Sequence, residues 1–402
     1  MKSWWRTGKR KYSVCSAHIS PFGGIKVTIM NHGFGKQQSQ IIKGVAIILM
    51  AFHHCFIPVK GNLDGYSITF FPFTYAQVTE FAAFSKICVS LFSFVSGYGL
   101  FLSFRNRLDS KGRNSVSHWL RQRYIRSFSG YWLIVVLSWI ISGFIDARPL
   151  KVYVQNSRLA GGVYALIDFL GLGNLFGTPM LNGTWWYMSA AFVFIMLVPA
   201  LFLMLCRFGN ACTFAVLIII PRLFSKYPGA LSPLSFLPVL CLGMICARTD
   251  FFGRIDALNA RGIPSRLLLT LGSTALCVVL YRIACRLPDE TCWDIKWDIF
   301  PLAYIVCIYL TLARIPWVDR FLAFMGKHSA NIFLVHTFYR VIYTKSFVYE
   351  RGHFLSVIAV LMVMSLGTSF VIEGLKKLIR YERFTSGLEK LSFPFISKKP
   401  DC

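Results

Sequence analysis

The sequence predicts an all-α, polytopic membrane helix bundle of about ten transmembrane helices with both the N- and C-termini cytoplasmic. Three observations predict it. Hydrophobic residues make up 55% of the chain and charged residues 15%, with a mean hydropathy of +0.55. An ordinary soluble domain carries about 25% charged residues, so a soluble fold of 402 residues could not cover its surface with so few. The apolar residues fall in runs of about 17–25, the length that crosses a bilayer as a helix. Lysine and arginine are shared unevenly between the segments that join those runs.

The runs lie near 41–58, 80–104, 123–144, 186–206, 210–224, 232–247, 265–285, 298–313, 329–347 and 353–378. A further apolar piece, Val163–Phe176, is broken by glycines and reads as re-entrant or interfacial. With the N-terminus inside, 30 of the 43 Lys and Arg residues fall in inner segments and 10 in outer ones. Lys86, Arg282 and Arg340 fall within spans. This bias follows the positive-inside rule, and it explains most of the +26 charge without nucleic acid. The first 29 residues lack the 7–15-residue apolar core of a signal peptide. Residues 1–39 are expected as a basic, disordered cytoplasmic tail and 381–402 as a second basic tail. The transmembrane domain between them covers 40–380. The 12 cysteines sit mostly in apolar runs without a C-x-x-C pair, as small buried hydrophobes do.

Ionisable groups inside spans are costly and therefore informative. In the first span, eleven positions separate Lys43 from His54. At about 100° per residue this is close to three whole turns, so the two share a face, about 16 Å apart along the axis. His53 points about 100° away. A buried neutral imidazole is a good general base, or else the partner in an interhelical hydrogen bond. In the ninth span, His336, Tyr339 and Arg340 cluster at i, i+3, i+4, lining a polar cavity or a hydrogen-bonded seam. The segment Arg105–Arg126 is arginine-rich. Its forks match phosphate oxygens, or serve topology and anionic headgroups. Ser96-Gly97-Tyr98-Gly99 reads as a small-residue packing patch. Trp185-Trp186-Tyr187 reads as an interfacial belt. Asn182-Gly-Thr is formally a glycosylation sequon, set against the membrane. Glu373 with Lys376 and Lys377 reads as an ion pair at the headgroups.

In order along the chain, these residues resemble the acyltransferase-3 family, multi-pass bacterial proteins that O-acetylate sugars and similar acceptors. The resemblance runs from Gln40 to about Lys377, most of the chain. The first signature, a basic residue and then His after ten residues, is Lys43 and His54. The second is Val89-Ser-Leu-Phe-Ser-Phe-Val-Ser96-Gly97-Tyr98. The third runs from Arg121-Gln-Arg123 to Tyr131-Trp132, and the fourth from Trp186-Tyr187 to Pro199. The fifth is Pro238 to Gly243-Met244, and the sixth Gly326-Lys-His-Ser-Ala-Asn331-Ile-Phe-Leu-Val-His336. Two positions depart from the pattern. Lys43 stands where Arg is usual, and Ala190-Ala191 stand where many members carry Glu.

The resemblance implies transfer of an acetyl or short acyl group from cytoplasmic acyl-CoA to a hydroxyl of a glycan or related acceptor, at the inner cell membrane. Acetyl-CoA or another acyl-CoA is then a co-substrate, with no permanently bound cofactor and no metal. It implies His54 as general base or transient acyl carrier, with Lys43 and His336 as further catalytic candidates. Arg121, Arg123 and Arg126 would meet CoA phosphates. His53, Ser96, Asn331 and Trp186 are candidates for substrate or oxyanion contacts. A transporter or flippase for a lipid-linked sugar is the rival class. The lack of two-fold internal similarity and of acidic residues within spans counts against it. A catalytically silent homologue is the third.

Overall fold

The computed structural model describes residues 33–58, 63–111, 116–154, 157–224 and 232–390. The remainder of both expected tails, 1–32 and 391–402, lies outside the described residues. The helices in chain order are α1 (Lys36–Phe56), α2 (Tyr75–Phe84), α3 (Ile87–Lys111), α4 (Val116–Asp146), α5 (Arg148–Tyr153), α6 (Arg158–Phe169), α7 (Gly173–Phe176), α8 (Trp186–Phe224), α9 (Leu237–Arg248), α10 (Phe251–Asn259), α11 (Ile263–Arg286), α12 (Asp289–Trp293), α13 (Phe300–Leu310), α14 (Val318–Thr337), α15 (Lys345–Tyr349), α16 (Phe354–Leu378) and α17 (Tyr381–Lys390). Among the described residues there is no strand, only an isolated bridge between Thr69 and His353. The all-α membrane bundle is therefore the fold.

Local sequence sets the helix starts. At α2, Thr74 and Gln77 form a reciprocal capping box, with Gln77 N donating to Thr74 Oγ1 (3.2 Å) and Thr74 N to Gln77 Oε1 (2.9 Å). Ser157 caps α6 by accepting from Ala160 N. Proline occupies the first turn of α9, α11 and α13, where its missing N–H costs no helical hydrogen bond.

Among the described residues, seven helical segments are long and apolar enough to cross a membrane, or eight if the α9–α10 pair, bent by 59°, counts as one span. The sequence alone suggests about ten, and the differences have local causes. The runs at 186–206 and 210–224 are two helical pieces of α8 on either side of a kink at Gly209, whose φ of 80° is open to glycine, and they count here as one 38-residue segment. The run at 329–347 overlaps α14, which carries Lys327, His328, Ser329, Asn331 and His336 and is too polar to pass on hydropathy. Val163–Phe176 becomes α6 and α7, joined through Gly171. At 12 residues, about 18 Å of helix, α6 is too short to cross by itself. The lipid-facing helix is clearest in α11, where Ala284 is buried while Ile263, Leu268, Leu271 and Val278 are exposed.

Two backbone-to-backbone crossings hold the centre. A side chain on Gly44 would collide with the Leu322 carbonyl, and one on Gly326 with the Gln40 carbonyl. The same relation joins Gly97 of α3 to the Leu240 carbonyl, and Gly243 of α9 to the Phe94 carbonyl. Small residues permit this close approach where no apolar transfer term drives helices together. Gly97 thus fulfils the packing expectation, whereas Gly99 has nothing within 4 Å of the position its Cβ would occupy. In the first crossing α1 and α14 run parallel. Gly44 faces Gly326, and ten residues further along each helix His54 meets His336.

The segment 145–185 folds back on α4 through one buried acid. Asp168 accepts from Tyr153 Oη (2.5 Å), Tyr131 Oη (3.1 Å) and Leu181 N (2.8 Å). This fixes the approach to α8.

Candidate active site

A cavity of ≈ 550 Å³ lies between α1, α3, α4, the start of α8, α14 and α16. It follows the face of α1 that carries Lys43, Met50, His53 and His54. Lys43 is near the start of that helix and His54 near its end, so the cavity runs about 16 Å along it. Arg126, Lys327 and Lys376 also line it, and Lys86 lines it together with the histidines. Glu373 is the one acid among its lining residues. Lys, Arg and Glu at these positions leave a net positive wall, suited to an anionic ligand. No hydrogen bond or ion pair joins Lys43 to another described residue, although it faces the cavity.

The two adjacent histidines of α1 are held differently. His53 Nδ1 lies 2.7 Å from the Ala82 carbonyl. A carbonyl only accepts, so Nδ1 carries the proton and the residue ties α1 to α2. His54 has its ring centroid 5.2 Å from that of His53 and 5.1 Å from that of His336. Its backbone carbonyl accepts from Arg340 (2.9 Å). The expected i, i+3, i+4 cluster of His336, Tyr339 and Arg340 is altered because Phe338–Ile342 is a π-helical turn. Tyr339 pairs with Thr368 of α16 instead, and Arg340 turns to α1.

Several expected roles change. Trp185 and Trp186 are buried (1% and 8% exposed), not belt residues at a lipid surface. Trp185 donates to the Leu334 carbonyl (3.0 Å), and Trp186 lines the cavity. Asn182 is 1% exposed and accepts from Thr184, so the sequon is a turn inside the protein. Ser96 lines the cavity beside Tyr187. Asn331 also lines it, but its Nδ2 donates to Ser369 Oγ (2.9 Å) and Glu373 Oε1 (2.9 Å). Both amide protons are thereby used, leaving none for an oxyanion. Glu373 further pairs with Lys376 (2.7 Å), so the expected headgroup ion pair forms part of the cavity wall. The reading that spans hold no acid is corrected by Glu373 and by Asp298, which is buried in the segment Thr291–Arg314 and accepts from Val239 N.

The three arginines separate. Arg126 reaches the cavity. Arg121 donates to the Glu389 carbonyl (3.0 Å), and Arg123 bonds Ser103, so neither lines the cavity. Glu389 comes from α17 and takes both Arg126 Nε (2.8 Å) and Nη2 (2.9 Å), with Gln122 Nε2 at 3.0 Å. These hydrogen bonds, led by Arg126, hold its carboxyl below the usual carboxylate range. Residues 381–390 are thus a helix docked on α4 rather than plain tail.

Lys86 was legible in the sequence only as a cation within a span. Its Nζ lies 3.6 Å from Asp289 and 4.3 Å over the Trp293 ring. Burial works to raise the Asp289 carboxyl, but the Lys296 hydrogen bond and the Lys86 charge hold it below its ordinary value. Among the described residues no group of three His, Cys, Asp or Glu is placed to hold a metal.

The bundle and this cavity define a multi-pass membrane protein with a cation-rich pocket that ends on a histidine pair. A family model for an acyltransferase domain, acyltransferase-3, matches residues 38–374. The chain belongs to the acyltransferase-3 family and is a membrane acyltransferase. Neither a curated protein nor a solved structure matches it.

Proposed function

We propose that the cavity takes acetyl-CoA or another short acyl-CoA, and that His54 directs its acyl group to a hydroxyl of a glycan or related acceptor such as a surface polysaccharide. The single observation that carries this reading is one cavity with Lys43, Arg126, Lys327 and Lys376 towards the start of α1 and His54 towards its end, where Lys86 is the one lining cation beside the histidines. Acyl-CoA has that polarity, with phosphates at one end and a thioester at the tip of a long neutral arm. The cavity, at ≈ 550 Å³, lies within the ordinary range for small-molecule sites, about 300–1,000 Å³.

In this scheme the His54 imidazole removes the acceptor hydroxyl proton, and the oxygen attacks the thioester carbonyl. The C–O bond forms, the C–S bond breaks, and the His54 proton passes to the departing thiolate. Ester and free CoA thiol result. Ser96, a hydroxyl that lines the same cavity beside Tyr187, is the group assigned to the tetrahedral oxyanion. Lys43 meets an anionic group of the donor as a point charge rather than a fork. The chain sits in the inner cell membrane with both termini cytoplasmic, its acyltransferase domain spanning 40–380. The Lys43 end of the cavity then opens where acyl-CoA is made.

The test is His54→Ala, inserted at wild-type levels, with radiolabelled acetyl-CoA as donor and label in cell-surface glycan as readout. Transfer should fall by about 10²-fold or more. Undiminished transfer refutes the assignment.

A further inference from the structure

His336 does not line the cavity, yet its ring lies 5.1 Å from that of His54, tilted by 33°. Both of its nitrogens are committed. Nδ1 lies 2.7 Å from the Phe333 carbonyl, which only accepts, so Nδ1 carries the proton. Nε2 then offers a lone pair, and the Thr337 hydroxyl lies 3.2 Å from it. Thr337 Oγ1 is 3.1 Å from Thr184 Oγ1, and the single Thr184 hydroxyl proton is shared between Thr337 Oγ1 and Asn182 Oδ1, which lies 2.8 Å away. Asn182 Oδ1 also accepts from Thr184 N (3.1 Å), which fixes the turn before α8. Asn182, His336 and Thr337 are all buried.

We infer that Thr337 and Thr184, anchored on Asn182, are positioning residues for His54, acting through His336. This rests on the base role proposed for His54. The Thr337 proton occupies the His336 Nε2 lone pair. His336 is thereby held as the Nδ1–H tautomer and cannot compete for the proton that His54 removes. Its ring becomes a fixed wall against His54. Without the Thr337 hydroxyl the lone pair is released, and the ring, then held only through Nδ1 on the Phe333 carbonyl, can take the proton itself. Asn182 and Thr184 carry this constraint from a loop outside α14, so the turn before α8 and the histidine pair are set together.

The experiment uses the full chain in detergent with acetyl-CoA, in four variants. Thr337→Val removes the hydroxyl at nearly constant shape, and Thr337→Ser retains it. Thr184→Val breaks the chain one step away, and His54→Ala tests the base itself. Thr337→Val should lower kcat about tenfold or more, with KM for acetyl-CoA within about twofold of wild type. Thr337→Ser should restore kcat, and Thr184→Val should lower it in the same sense, which tests the chain even if Thr337→Val fails to fold. Wild-type kcat in folded Thr337→Val, or equal losses in the Val and Ser variants, overturns the inference while His54→Ala remains inactive. Undiminished turnover in His54→Ala is a different outcome, and it overturns the base role first.

Discussion

Gly326→Ala should loosen the α1/α14 crossing and slow turnover together. A Cβ at that position would lie 2.7 Å from the Gln40 carbonyl carbon and 3.0 Å from Gly44 N, and closer still to Gln40 O. Carbon atoms in ordinary contact sit about 3.5–4.0 Å apart, so the two helices must part by about 1 Å. Overpacking costs about 1–3 kcal/mol. Here the atoms struck are backbone with no rotamer to yield, which places the expectation at the upper end. The same helices carry His54 and His336, and a 1 Å misplacement at a reacting centre can cost about 10²-fold in rate. The assay pairs a thermal melt in detergent with acetyl-CoA turnover. The control is Gly272→Ala on α11, where the added Cβ has nothing within 4 Å. Alanine is the better helix former by about 0.5–1 kcal/mol, so that variant should melt no lower than wild type. If Gly326→Ala melts and turns over like Gly272→Ala, the close crossing is not what holds these helices.

Two further outcomes follow from the arginines and α17. Arg126→Ala should raise KM for acetyl-CoA about tenfold, the loss of one charge-assisted hydrogen bond of about 1.5 kcal/mol. Arg121→Ala and Arg123→Ala should leave KM nearly unchanged, and steady-state kinetics that rank the three the other way round would contradict the cavity boundary. The Glu389 carboxyl is depressed in the folded protein. Its contribution to α17 docking is therefore complete above the unfolded value, about 4.3, and is lost as pH falls through the lower folded value. Hydrogen exchange along α17 should stay slow at pH 5 and rise only below about pH 4. A rise between about pH 5 and 6 would mean that another group holds the helix.

Much of the bundle was legible because lipid imposes a simple rule on composition and length. The shared face of Lys43 and His54 followed from helical periodicity alone, and both line the cavity. Gly97 announced a close crossing, but its partner Leu240 lies far along the chain and no local pattern names it. Trp185 and Trp186 misled because residue type is the same at a lipid interface and in a protein interior. Only the fold of 145–185 over α4 decides which applies. Arg121 and Arg123 misled for a related reason. Arginine density signals anions in general, and here Arg121 meets the carbonyl of Glu389, more than 250 residues on. Asn331 looked free to stabilise an oxyanion until α16 supplied Ser369 and Glu373.

The parallel α1/α14 pair also has a leverage. The fulcrum is Gly44 against Gly326, and each histidine lies ten residues beyond it, about 15 Å away. Over that arm a tilt of about 4° displaces a ring by about 1 Å. The histidine pair therefore reports helix angle with amplification. Any ligand or lipid that pries at the short, lysine-bearing end adjusts the imidazoles at the long end, without touching them.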